Sequence, residues 1–120
     1  MTMFPQAPTA VVMIRPHFFS PNEETRADNA FQSSQEVDKN QVAKTAFDQV
    51  TEVVVKLESL GVQVHLFEDK TKETPDSVFP NNWFSTHLGG QIAIYPMYAQ
   101  NRRKERRIDV IETLKANYRV

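Results

Sequence analysis

The sequence predicts an α/β fold with the element order strand, helix, strand, hairpin, helix. Three observations predict it: an unbroken apolar run at residues 10–14, a helical pattern of apolar residues from about residue 38 to residue 60, and two β-like runs on either side of a glycine pair. Hydrophobic side chains make up 40% of the 120 residues, which is too many for a disordered chain. We therefore expect one small domain with a folded core.

The first strand is predicted at residues 10–14, because a continuous apolar run is typical of a strand buried on both faces. From residue 15 to about 35 the sequence has neither helical nor strand periodicity. Length alone fits a mobile surface excursion as well as a binding loop. Because Phe18, Phe19 and Phe31 place much apolar surface in this stretch, we favour an ordered loop.

The first helix is predicted over residues 38–60. Either Asp38 or Asn40 can cap its start, and Gly61 stands where a left-handed residue would end it. Residues 62–67 then alternate like a strand, and the succession of strand, crossover helix and strand predicts parallel pairing. The apolar positions of the helix are Val42, Ala43, Ala46, Phe47, Val50, Val53, Val54, Leu57 and Leu60.

A hairpin is predicted next, because β-like runs at residues 83–86 and 91–95 flank a turn at 87–90 that contains Gly89 and Gly90. A second helix is predicted from about Arg102 to the end, with Asn101 as its N-cap. Its modest apolar stripe consists of Ile108, Ile111, Leu114 and Tyr118.

Composition limits the kinds of partner. The net charge of −1 argues against a dedicated nucleic-acid binder, and no apolar run approaches the roughly 20 residues that cross a bilayer, so we expect a cytoplasmic protein without a membrane partner. The three histidines are too scattered to imply a metal site, and we expect no metal and no cofactor. Cysteine is absent, which excludes a disulfide, a thiolate zinc site and a cysteine nucleophile within these 120 residues.

The basic cluster at residues 102–107 is the first candidate site. Residues 101–120 carry a net charge of +4 and residues 1–100 carry −5, an asymmetry that suits a zwitterionic amino acid better than a polyanion. Cations at the start of a helix oppose its dipole, but a docked carboxylate or phosphate would reverse that effect. The alternative is a solvated helix face with Glu105 and Asp109 as local partners.

Residues 75–83 form the second candidate site. Asp76 and the pair Asn81 and Asn82 stand just before the predicted hairpin, where polar side chains at the mouth of a strand commonly meet a ligand. A carboxylate there suits a cation such as a guanidinium. The alternative is ordinary turn chemistry, since Pro, Asp and Asn are common turn residues.

These segments together carry a family resemblance. They are Met13-Ile14-Arg15-Pro16, Asn22-Glu23-Glu24-Thr25, Asn29-Ala30-Phe31-Gln32, residues 75–87, Tyr95-Pro96-Met97 and residues 101–107. They resemble the citrulline-utilisation hydrolase-like, arginine-deiminase-related branch of the guanidine-modifying (amidinotransferase, pentein) superfamily. A more distant relative, dimethylarginine dimethylaminohydrolase, shares the Pro-Asp-x-Val-Phe segment and a later Arg-Arg-Lys-Glu.

The resemblance implies a fold, a chemistry and a set of roles. The fold is an α/β propeller of five ββαβ-type modules, and a cysteine thiolate attacks the amidino carbon of an arginine-like or citrulline-like amino acid while a histidine acts as acid and base. Asp76 matches the carboxylate that holds the guanidinium, and Arg102 matches the arginine that meets the substrate carboxylate. Asn81 and Asn82 stand where many relatives carry an acidic pair, and Phe31 falls in a mobile loop that covers the substrate.

The family's cysteine and histidine lie beyond the matched region, so residues 1–120 are expected to form about one to one-and-a-half modules of an amidinotransferase-like domain more than twice as long. Alone they are not expected to hydrolyse a C–N bond. The resemblance leaves open whether the remaining propeller modules or a second copy of the chain completes the site. It also leaves open whether the reaction is a hydrolysis or a transfer.

Two other interpretations remain open from the residues alone. Strand, helix, strand, strand, helix needs one further strand to complete a ferredoxin-like module, which would bind a small ligand in a regulatory role. The second interpretation is that the chain is a truncated product without activity.

Overall fold

A computed structural model describes residues 9–22 and 38–116. The elements of this part of the chain follow the predicted order of a mixed α/β fold, with the final helix divided in two. They are strand β1 (Ala10–Pro16), helix α1 (Lys39–Ser59), strand β2 (Gln63–Asp69), a 3₁₀ turn (Pro80–Asn82), strands β3 (Phe84–His87) and β4 (Gln91–Ile94), and helices α2 (Gln100–Arg103) and α3 (Ile108–Lys115).

Strands β1 and β2 pair in parallel, as predicted, with Ala10 opposite Gln63 and Pro16 opposite Asp69. The expectation of a strand buried on both faces is wrong for most of β1, because only Ile14 and Pro16 are buried and the other residues are half-exposed. The physical reason is that the start of β1 borders an open groove rather than a second layer.

Helix α1 has the predicted ends. The Asp38 carboxylate accepts hydrogen bonds from the backbone N–H groups of Asn40 and Gln41 at 3.0 and 3.4 Å, so Asp38 is the N-cap and Asn40 lies inside the helix. Gly61 follows the helix with a φ of +87°, the left-handed conformation that glycine adopts without a Cβ clash. Val50 and Val54 are the buried residues of α1.

Strands β3 and β4 form the predicted antiparallel hairpin, in which Phe84 faces Ile94 and His87 faces Gln91. Gly89 and Gly90 both have positive φ in the turn. The hairpin packs over Trp83, which is 1% exposed. The core beneath it consists of Ile14, Trp83, Phe84, Ile92, Met97, Val110 and Leu114.

The prediction of one helix from Arg102 onward, capped by Asn101, is wrong. Helix α2 ends at Arg103, and a break precedes α3, which begins after the extended residue Arg107. Arg103 donates from Nε to the Met97 carbonyl at 2.8 Å, and Arg107 donates from Nη1 to the Glu68 carbonyl at 2.7 Å. These hydrogen bonds to other segments accompany the extended backbone at Arg107, which interrupts the continuous helix that local propensity favours.

Because the helix is divided, the basic cluster does not lie at a helix N-terminus, where its charge was expected to oppose the helix dipole. Ala99 occupies the N-cap position of α2, and Asn101 lies within the helix. Arg102 and Arg103 are in the last turn of α2, where positive charge is favourable rather than unfavourable. The cluster therefore has to be explained by its side-chain contacts.

The two sheets have two strands each, and neither is closed. A ferredoxin-like module places another strand between its two parallel strands, whereas β1 and β2 are hydrogen-bonded directly. The pairing therefore does not support that alternative. Within residues 9–22 and 38–116, no helix is long and apolar enough to cross a membrane.

Candidate substrate-binding site

The segment after β2 is held by a buried carboxylate. Asp69, the last residue of β2, accepts hydrogen bonds from Thr74 Oγ1 at 2.6 Å, from Ser77 Oγ at 2.5 Å and from the backbone N–H of Thr71 at 3.0 Å. Burial by itself raises the pKa of Asp69, but these hydrogen bonds outweigh it, and the pKa lies below its ordinary value. Asp69 thereby fixes the course of the segment that carries Asp76.

Asp76 is buried, with an exposed fraction of 6%. Asn22, which is 1% exposed, donates from Nδ2 to Asp76 Oδ2 at 2.8 Å. Asn22 also exchanges hydrogen bonds with Asn101, at 3.1 Å from its Nδ2 and at 2.8 Å to its Oδ1. The loop after β1, the segment after β2 and helix α2 therefore meet at Asp76.

Arg102 reaches the same place from helix α2. Its Nε lies 3.9 Å from Asp76 Oδ2, although the two residues are 26 apart in sequence. Its Nη1 donates to Asn82 Oδ1 at 3.0 Å, and its Nη2 donates to the Phe79 carbonyl at 3.3 Å. The structure thus brings together three of the predicted site residues, Asp76, Asn82 and Arg102.

Glu105 also belongs to the site, although the sequence indicates only a local partner of the basic cluster on a solvated helix face. It is 3% exposed, and its two oxygens accept hydrogen bonds from Nε and Nη2 of Arg102, both at 3.0 Å. Burial raises the pKa of Glu105 above its ordinary value and outweighs the opposing effect of Arg102, and the charges of Asp76 and Asp69 raise it further. The spacing of three residues predicts the pair but not its burial.

The site holds more negative than positive charge. Glu105 takes the Nε and Nη2 edge of Arg102, whereas Asp76 is 3.9 Å from Arg102 and accepts its hydrogen bond from the neutral amide of Asn22. Among the described residues, Asp76 has no other ion pair. Because the nearest cation, Arg102, is 3.9 Å from Asp76 and is also paired with Glu105, the buried charge of Asp76 is only partly compensated, and this geometry favours a ligand that brings a further cation.

A comparison with protein families gives one match. The family model for eukaryotic N,N dimethylarginine dimethylhydrolases matches residues 15–120. The chain belongs to this family. Neither the curated proteins nor the solved structures contain a match to the chain.

The match to the dimethylarginine dimethylhydrolase family covers all the residues that meet at Asp76. It includes the Pro-Asp-x-Val-Phe segment at 75–79 and the Arg-Arg-Lys-Glu segment at 102–105, the motifs of the relative that the sequence suggested as more distant. The match confirms the predicted relation to pentein-type enzymes that modify arginine-like amino acids.

One of the predicted residues, Asn81, does not join the cluster around Asp76. Asn81 lines an apolar groove of about 580 Å³, and within the described chain no hydrogen bond joins it to Asp76 or Arg102. Phe31 lies outside the described residues. The other residues of the groove are Ala10, Val11, Val12, His65, Pro80, Phe84, Ser85, Thr86, Thr113, Leu114 and Ala116.

The histidines are spread over the fold. His17 Nε2 lies 3.0 Å from Glu68 Oε1, and its ring packs edge-on against Phe47. His87 Nε2 lies 2.7 Å from Ser85 Oγ on the hairpin. Over residues 9–22 and 38–116, no group of three histidine or acidic side chains is placed to hold a metal ion.

Proposed function

We propose that residues 1–120 supply the amino-acid-binding part of a hydrolase that cleaves a C–N bond of an arginine-like or citrulline-like amino acid. The observation that carries the proposal is the meeting of Asp76 and Arg102, a buried carboxylate and a guanidinium 3.9 Å apart. An amino acid has an ammonium and a carboxylate to match them. The family match supports the substrate class, because the family is named for N,N-dimethylarginine.

The distance between Asp76 and Arg102 bears on which end of the substrate they hold. The ammonium and carboxylate of an amino acid are borne on one carbon, whereas its guanidinium lies at the far end of the side chain. Two groups 3.9 Å apart match the first arrangement better. We therefore propose that Asp76 binds the α-ammonium, in place of the guanidinium role that the resemblance implies.

Arg102 would receive the substrate carboxylate through Nη1. Its Nε and Nη2 edge faces Glu105, while Nη1 donates to the side-chain oxygen of Asn82. A charged carboxylate is a stronger acceptor than an amide oxygen, so it can displace Asn82 from Nη1. Asn82, displaced from Nη1, would then be free to turn its amide toward the far end of the substrate side chain.

The amides of Asn81 and Asn82 support a citrulline-like substrate and the citrulline-utilisation branch of the superfamily. An amide offers both a donor and an acceptor, which match the carbonyl and NH₂ of a neutral ureido group. An acidic pair in the same place would favour a cationic guanidinium. We propose that these amides shift preference away from arginine.

The covalent chemistry would be supplied outside these 120 residues, which contain no cysteine. In the proposed reaction a thiolate forms a bond to the amidino or ureido carbon, the C–N bond to the leaving amine breaks with proton transfer from a histidine, and water then releases the enzyme thiol. The open edges of the two small sheets are consistent with further propeller modules that continue them.

The test is calorimetric titration of the protein expressed from its complete reading frame. Citrulline, arginine and N,N-dimethylarginine present both ends of a substrate, norvaline presents only the amino-acid head, and agmatine presents a guanidinium without a carboxylate. We expect norvaline to bind and agmatine to bind more weakly, with Asp76→Asn reducing affinity for norvaline.

The control variant is Asp48→Asn, which alters an exposed residue of helix α1 away from the site. It should leave binding unchanged. If agmatine binds as tightly as norvaline and both depend on Asp76, the guanidinium role of Asp76 is correct instead. If none of the five compounds binds, the proposed function is wrong.

A further inference from the structure

We infer that Glu105 is a positioning residue of this site: it holds and neutralises Arg102, and so leaves the charge of Asp76 for the cationic group of the ligand. The inference rests on the proposed function and adds a residue to it. Glu105 does not contact the ligand in this scheme. It acts through Arg102.

The geometry of the pair supports an orienting role. Glu105 accepts from both Nε and Nη2 of Arg102 at 3.0 Å, a two-point contact that fixes the plane of the guanidinium as well as its position. The Glu105 side chain is 1% exposed and that of Arg102 is 13% exposed. Since water screens such a pair poorly, the interaction is stronger than a surface ion pair.

The same contact determines which carboxylate remains available. Asp76 Oδ2 is 3.9 Å from Arg102 Nε, a distance at which the two groups attract but do not form a short hydrogen bond. Without Glu105, the guanidinium of Arg102 is free to turn its Nε edge toward Asp76. Arg102 would then neutralise Asp76, and no carboxylate would remain to pair with the ammonium of the ligand.

The first test removes the charge of Glu105 and keeps its shape. Glu105→Gln should weaken binding of norvaline and citrulline by about tenfold. Glu112→Gln is the matched control, because Glu112 is an exposed glutamate of helix α3, where it pairs with Lys115. Glu105→Asp, which keeps the charge with a shorter reach, should recover part of the affinity.

The second test needs no ligand. In a ¹⁵N spectrum of the arginine side chains, the Nε–H signal of Arg102 should have the same chemical shift in the wild type and in Glu112→Gln, and a different one in Glu105→Gln, because its carboxylate acceptor is lost. An unchanged Arg102 chemical shift in Glu105→Gln would overturn the inference, whatever the ligand results are. If Glu105→Gln does not fold, as judged by Trp83 emission, the comparison is made with Glu105→Asp, in which a changed shift is again expected.

A pH series separates positioning from general structural support. Glu105 is faced by Arg102 and by the carboxylates of Asp76 and Asp69, and burial raises its pKa. As pH falls, protonation of Glu105 should weaken norvaline binding in the wild type, and Glu105→Gln should lack this component. Equal pH profiles in the two proteins would overturn the inference. If the wild type does not bind norvaline at any pH, the proposed function is refuted instead.

Discussion

Asn22 donates a hydrogen bond from Nδ2 to Asp76 Oδ2 over 2.8 Å, although 54 residues separate the two in sequence. Asn22 is the last described residue of the loop after β1, and it also binds Asn101 on α2. A neutral amide that supports a buried carboxylate satisfies its oxygen without neutralising its charge. Asn22 therefore orients the Asp76 carboxylate and at the same time leaves its charge available to a cation.

Replacing Asn22 should destabilise the fold. Asn22→Ala removes the donor to Asp76 and both hydrogen bonds with Asn101, which leaves buried polar atoms unsatisfied. We expect the free energy of unfolding to fall by about 2 kcal/mol, measured by denaturant titration of Trp83 fluorescence. Asn40→Ala, at an exposed position of α1, is the control and should change it by less than about 0.5 kcal/mol. Equal effects of the two changes would contradict the burial of Asn22.

Asp69 should make stability depend on pH. Its pKa in the folded state lies below the ordinary value of 3.8, because hydrogen bonds from Ser77, Thr74 and Thr71 outweigh the effect of burial. The folded state therefore binds this proton less readily than the unfolded state, so the contribution of Asp69 is complete above 3.8 and is lost as pH falls through the lower folded value.

The measurement is the free energy of unfolding as a function of pH in the wild type and in Asp69→Asn. The variant should lose about 2–4 kcal/mol at neutral pH, since its amide replaces an ionised acceptor of several hydrogen bonds. It should also lose less of its remaining stability on acidification. Glu112→Gln serves as a control that should follow the wild-type curve, and an Asp69→Asn curve parallel to that of the wild type would refute the prediction.

Asn82→Asp tests the proposed preference for a neutral substrate. A second carboxylate near Arg102 should attract a guanidinium and repel the carbonyl of a ureido group, so the ratio of arginine to citrulline affinity should rise by about tenfold in calorimetric titration. Norvaline reports any separate effect on the amino-acid head, because Asn82 contacts Nη1 of Arg102. Asn40→Asp is the matched control, and an unchanged ratio in Asn82→Asp would end the hypothesis.

Asp38 should stabilise helix α1 as its N-cap. Asp38→Ala removes the acceptor for two backbone N–H groups in the first turn, at Asn40 and Gln41, and should cost about 1 kcal/mol in the free energy of unfolding. Glu52→Ala, which removes an exposed carboxylate from the middle of the same helix, should cost less. Far-UV circular dichroism during denaturant unfolding measures both, and equal losses would argue against a capping role.

The elements that sequence predicts well are those whose signals are local. The period of the apolar residues, together with Asp38 and Gly61, fixes helix α1 within about a residue at each end. The turn at Gly89 and Gly90 likewise identifies the hairpin, because both positions need positive φ. Asp76 and Arg102 can be recognised as candidates because Asp76 precedes the hairpin and Arg102 belongs to the basic cluster that follows it.

The features that sequence does not predict depend on contacts between distant residues. The break after α2 is accompanied by hydrogen bonds of Arg103 and Arg107 to carbonyls outside the helix, and nothing in their local sequence specifies those partners. The burial of Glu105 and the pairing of Asn22 with Asp76 are set by the packing of three segments. Asn81 and Asn82 look equivalent in sequence, but only Asn82 faces Arg102.

The hydrogen bonds between Asn22 and Asn101 also constrain the order of folding. They join residues 79 apart, and the entropy lost in closing a loop grows with its length. Helix α1 and the hairpin can form from local contacts, whereas the proposed amino-acid site requires segments as far apart as Asn22 and Asn101 to be in place. A ligand that binds there consequently stabilises the assembled fold as a whole, and its affinity reports on completed folding.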